Sequence, residues 1–198
     1  MRNDLTHITC TAFVGERAIA SGSLEHVIST VKEDLDEYLL TQLLIFDDAT
    51  GEQIDVEFRG TTDYVLKRVV ERLSDLPSSE VNQQSIRRVG RPKLGVVSGE
   101  VTLLPRHWEW LKSQPGGASV TLRKIIDEAR HVREKQNTMR EAHEATYRFM
   151  TAMAGDFPHY EDALRALYTG DSARFYHLIR DWAPDIRDHI DKLSAKIF

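Results

Sequence analysis

Apolar residues change their spacing several times along the first third of the chain. His7–Val14 and Ala18–Ser21 read as two strands meeting at Gly15-Glu16. From Ser23 to Leu40 the period lengthens: Leu24, Val27, Ile28, Val31 and Leu35 recur at helical spacing, Ser23 is placed to cap the first turn, and Glu25 and Glu33 face water. The pattern then repeats. Leu43–Phe46 is an apolar strand, Asp47–Gly51 carries a turn signal, and Gln53–Phe58 alternates with Ile54, Val56 and Phe58 on one face. Gly60 and Thr61 lead into a helix over Asp63–Leu73, striped by Val65, Leu66, Val69, Val70 and Leu73. A β-β-α-β-β-α order predicts a small α+β domain over residues 1–76, with its helices on one side of a largely antiparallel sheet.

Residues 77–92 are polar, contain Pro77 and Pro92, and end in the cations Arg87, Arg88 and Arg91; they predict a linker with a basic end. A second structured stretch follows over 93–135. Strand-like residues around Val96–Leu104 precede Pro105, which suits the opening of a helix over Arg106–Ser113. Pro115-Gly116-Gly117 breaks that helix, and Ser119 stands where the cap of a second helix belongs, with Leu122, Ile125, Ile126 and Ala129 as its stripe. The pattern continues through His131–Lys135 and, after a kink, through Thr138–Met153. Short helices are predicted over Tyr160–Leu167, Ser172–Trp182 and Pro184–Ile197, separated by Gly155, Pro158 and Thr169-Gly170-Asp171. Residues 136–198 therefore read as a helical tail.

The order strand, helix, Gly-rich break, helix over Gly90–Arg130 resembles a ribbon-helix-helix unit. Such a unit cannot bury its core alone, so the resemblance implies a homodimer paired through strands near 96–104, with double-stranded DNA as an expected partner. In that family the first turn of the second helix grips a phosphate with its backbone amides. The matching residues are Ser119, Val120 and Thr121, and a helix start favours an anion on general grounds. Arg123 and Lys124 add charge nearby, while Arg87, Arg88, Arg91 and Lys93 form a basic arm suited to a minor groove. The strand departs from the family: Val101 and Leu103 on one face, and Glu100, Thr102 and Leu104 on the other, provide none of the usual base-reading side chains.

Charge segregation sharpens this picture. The net charge of −5 is divided into −9 over residues 1–80, +6 over 81–135 and −2 over 136–198. The basic excess sits on the segment with the DNA-binding resemblance, and the acidic flanks weaken non-specific binding. Neither an apolar leader core nor a window of roughly 20 apolar residues is present, so the sequence predicts a cytoplasmic protein without membrane attachment.

Other chemistry finds little support. Cys10 is the only cysteine, and the eight histidines are scattered without a His-x-x-x-His pair, so neither a metal nor another cofactor is expected. Asp47-Asp48-Ala49-Thr50-Gly51 reads as an Asx-type turn rather than an acid-base pair with Asp55. Nucleophile elbows and phosphate-binding glycine loops are absent. Trp108 and Trp110 lie two apart on a helix and so face different directions.

Four stretches, LLIFDDATGEQIDVEFRGT, GRPKLGV, EVTLLPRHWEWLKSQPGGASVTLRKIIDEAR and YRFMTAMAGDFPHYEDALRALYTGD, resemble signatures of an uncharacterised bacterial family, the domain of unknown function numbered 2239. That resemblance covers nearly the whole chain and implies no activity. The functional expectation is a non-enzymatic, transcription-associated homodimer contacting DNA mainly at phosphates. The alternative is a dimeric scaffold that binds another protein through its N-terminal domain or helical tail.

Overall fold

The computed structural model describes residues 8–74 and 99–198, which fall into two compact units: residues 8–74 with Lys135–Phe198, and residues 99–134. In the first unit, β1 (Thr9–Val14) pairs antiparallel with β2 (Arg17–Ser23) and with β3 (Leu43–Asp47), giving the order β2-β1-β3. Val14 stands opposite Arg17, so Gly15-Glu16 is a two-residue hairpin loop, and Gly15 supplies its positive φ of 57°.

The expected helix over 23–40 is two helices. In α1 (Leu24–Asp34), Ser23 caps as predicted, its Oγ accepting from the His26 amide at 3.3 Å. Leu35 is extended, and Asp36 accepts from the Leu39 amide at 2.8 Å to start α2 (Glu37–Thr41). A second local cap thus competed successfully with helix continuation.

The strand expected over Gln53–Phe58 does not join the sheet. It begins to pair, with a bridge between Phe46 and Gln53 and an Ile54 amide donating to the Ile45 carbonyl at 2.7 Å, and goes no further. Beyond that point side chains take its carbonyls. Lys32 donates to Phe58 O at 2.9 Å and to Gly60 O, while Arg68 of α3 (Thr62–Ser74) donates to Glu57 O and to Arg59 O at 3.0 Å. The period-two alternation persists, with Ile54, Val56 and Phe58 packed against the core. Val65 and Val69 of α3 are buried there too; the side chains of Val70 and Leu73 lie outside the described residues.

Helices cover both faces of this sheet rather than one. Cys10, Ala12 and Ile45 point toward α1 and α3, forming a core with Leu24, Val27, Ile28 and Val31. Phe13 and Phe46, on the opposite side of the pleat, pack with Ala145, Phe149, Met150, Ile186 and Ile190. Both strand faces are apolar, so the helical tail is the second layer of the same unit. Its elements are the end of α5 (Gly117–Ala154), α6 (Tyr160–Thr169), α7 (Ser172–Ile179) and α8 (Pro184–Ser194). Gly170, at φ 71°, ends α6, and Asp171 caps α7 through the Arg174 amide at 3.0 Å.

Gly51 ties the β3 turn to α5. At φ 66° it lies so close that a β-carbon there would sit 2.1 Å from the Ala145 carbonyl oxygen. Arg148 adds a donor to the Thr50 carbonyl at 3.0 Å.

In the second unit, α4 (Pro105–Ser113) opens with Pro105 in its first turn, as predicted, and buries Leu111. The start of α5 follows. Gly99–Leu104, the described part of the expected strand, forms no ladder among the described residues. α5 is one continuous helical segment through Lys135–Thr138, where a kink is expected from sequence, and from Ala118 to Ala154 it contains no proline or glycine. Among the described residues no helix is long and apolar enough to cross a membrane.

Candidate functional site

Within the first unit, chemically capable side chains converge where α8 meets the sheet. Asp48 follows β3 and turns inward, its side chain only 5% exposed. Thr11 Oγ1 donates to Asp48 Oδ1 at 2.8 Å, and Ser21 Oγ lies 3.0 Å from Thr11 Oγ1. From α8, Lys192 Nζ donates to Asp48 Oδ2 at 2.7 Å. His189, one turn earlier on α8, is buried with its ring centroid 4.4 Å from that of Phe149 and 5.4 Å from that of Phe13. Thr11, Ser21, His189 and Lys192 border a cleft of about 200 Å³ that also touches Asp185 and Asp188.

Electrostatics define what the cluster can do. Burial pushes His189 down to about 4, outweighing the opposing pull of Asp48, so its ring is neutral near pH 7. Its Nε2 lies 3.9 Å from Asp48 Oδ1, too far for a hydrogen bond, and has no partner among the described residues. Burial, reinforced by Asp48 and Asp47, pushes the Cys10 thiol up to about 12, which suppresses the thiolate. Asp48 is fully engaged by Thr11 and Lys192. Together with Asp185, whose Oδ2 accepts from the Ala18 amide at 2.8 Å, the arrangement docks α8 onto β1 and β2.

Sequence reading missed this cluster and its partners. A signal existed, because Asp185, Asp188, His189 and Lys192 recur at i, i+3, i+4 and i+7 beside the apolar Ile186, Ile190 and Leu193. The Asx turn was legible, and Asp47 makes it, accepting from the Ala49 and Thr50 amides at 2.7 and 2.9 Å. Asp48 instead serves the buried network, and Asp55 joins neither, receiving only a 3.5 Å contact from Gln53 Nε2.

The nucleic-acid residues expected from sequence lie partly outside the described chain. Arg87, Arg88, Arg91 and Lys93 are outside the described residues. Ser119, Val120, Thr121, Arg123 and Lys124 fall on the first two turns of α5, where Ser119, Val120, Arg123 and Lys124 are exposed and Thr121 is half-buried. Ser119 is not the cap: Gly116 and Gly117 adopt φ 92° and 75°, letting the helix begin two residues earlier. Thr121 Oγ1 donates back to the Gly117 carbonyl at 3.0 Å, and Arg123 Nε donates to the Ser119 carbonyl at 3.2 Å.

The same stretch leaves large apolar residues in solvent. Trp110 is 52% exposed, Ile126 53% and Val132 55%, with Val120 and Ile125 also exposed. Charge over residues 99–135 is close to balanced, seven Lys/Arg against five Asp/Glu, so most of the basic excess expected from sequence belongs to residues 87–93.

No curated protein and no solved structure matches the chain. A family model described as an uncharacterized protein conserved in bacteria, DUF2239, matches residues 9–194, and the chain belongs to that family.

Proposed function

We propose that this chain is a non-enzymatic homodimeric scaffold, assembled through residues 105–134. The observation that carries this reading is the set of exposed apolar side chains on α4 and the start of α5: Trp110, Val120, Ile125, Ile126 and Val132. Each would gain on the order of 1 kcal/mol or more from burial, and their clustering on one short stretch marks an interaction surface. A ribbon-helix-helix-like unit has the same need, since its core is completed by a second chain.

A second reading adds double-stranded DNA, contacted mainly at phosphates. Arg123 and Lys124 favour it, because both are exposed beside the first turn of α5, and the basic residues Arg87, Arg88, Arg91 and Lys93 precede the unit in sequence. The near balance of charge over 99–135 favours the scaffold.

A salt titration of binding to two unrelated duplexes separates the readings. The scaffold reading expects no saturable binding at low salt. Binding that is similar on both duplexes and loses roughly one counterion from its salt slope on each of Arg91→Ala and Lys93→Ala would establish the DNA reading instead.

A further inference from the structure

Part of the apolar set at the start of α5, without Val120 and Ile126, obeys a stricter rule than simple amphipathicity. Ala118, Leu122, Ile125, Ala129 and Val132 are spaced four, three, four and three residues apart, the repeat of a coiled-coil seam. Ile125 and Val132 are 39% and 55% exposed, Ala129 is exposed and Leu122 half-buried. With Leu122 and Ala129 at the a positions, Ala118, Ile125 and Val132 stand at d, Glu128 at g and Arg133 at e.

We infer that residues 118–132 form a two-heptad seam that pairs, parallel and in register, with the same helix of a second copy. This rests on the homodimer reading and adds its geometry. Charge chooses the orientation. In a parallel pair each g residue faces the e residue five positions on, so Glu128 meets the partner's Arg133, twice by symmetry. An antiparallel pair matching Leu122 with Val132 and Ile125 with Ala129 would set Glu128 level with the partner's Ile126, which gives its carboxylate no cation. The same code ends the seam. Gln136 occupies the next a position, and the following g-to-e contact would set Lys135 against the partner's Arg140, two cations.

Cysteine cross-linking of the full chain tests the geometry. Cys10, the only native cysteine, is buried, so the wild-type chain serves as the uncross-linked control. At micromolar protein under mild oxidation, Ile125→Cys and Val132→Cys are expected to give interchain disulfides, and Asp127→Cys, on the outer face, is not. Glu128→Lys is expected to weaken association about tenfold by setting two cation pairs across the seam, and adding Arg133→Glu to restore it, a rescue specific to the parallel arrangement. A wild-type dimer in sedimentation whose Ile125→Cys and Val132→Cys forms fail to cross-link would overturn the seam while leaving the homodimer standing. A monomer throughout would remove both.

Discussion

His189 shows how one buried side chain sets a pH dependence. Its folded value near 4 lies below the usual 6.5, so the unfolded chain binds the proton more readily between those values. The sign follows from linkage: this contribution is fully present above about pH 6.5 and is lost as pH falls toward 4, by up to roughly 3 kcal/mol. His189→Phe keeps an aromatic ring between Phe13 and Phe149 and removes the titration. Denaturant melts at pH 7 and pH 4.5 should therefore show a smaller acid loss in the variant than in the wild type; equal losses would contradict a neutral, buried His189. Asp48→Ala takes from the Thr11 hydroxyl the carboxylate it donates to and is expected to cost about 2 kcal/mol, whereas Lys192→Ala should cost about 3 kcal/mol because it leaves the Asp48 carboxylate, 5% exposed, without its cation. Gly51→Ala should cost on the order of 3 kcal/mol, since it combines a positive φ with a clash against the backbone of α5. At this scale the sequence revealed what is local. The Ser23 cap and the Asp47 turn are written within three residues, while the inward turn of Asp48 depends on Lys192, a residue 144 positions away.

Elements were legible wherever one period dominated a run. The first two strands, the third strand, and helices α1, α3 and α6 through α8 lie close to their apolar patterns. Misreadings came where competing contacts decided the outcome. Gln53–Phe58 has a strand's alternation, yet Lys32 and Arg68 hold the carbonyls that a ladder would use. Hydrogen exchange should show this directly: the amides of Val56 and Glu57 are expected to exchange faster than that of Ala12 in the central strand, and equal protection would mean that a fourth strand forms. The kink expected after Lys135 had only a weak interval in the apolar pattern behind it, and no backbone breaker is present to make one.

At the scale of the whole molecule, the polar stretches predict a helical tail separate from the N-terminal domain, whereas the two form one compact unit. Phe13 and Phe46 were the overlooked signal, since apolar residues on both faces of β1 and β3 require two covering layers, and the tail supplies the second. The expected site on residues 87–124 was legible as a charge pattern, but only its α5 part lies in the described chain, and there the larger signal is apolar. That exposed surface underlies the central claim, a homodimer assembled through residues 105–134. Sedimentation equilibrium of the full chain at micromolar concentration tests it most directly. The expected mass is about twice the 22.7 kDa of one chain, shifting toward the single-chain mass in the Ile125→Glu variant while the helical content of each chain is retained. A wild-type mass of one chain across that concentration range would contradict it.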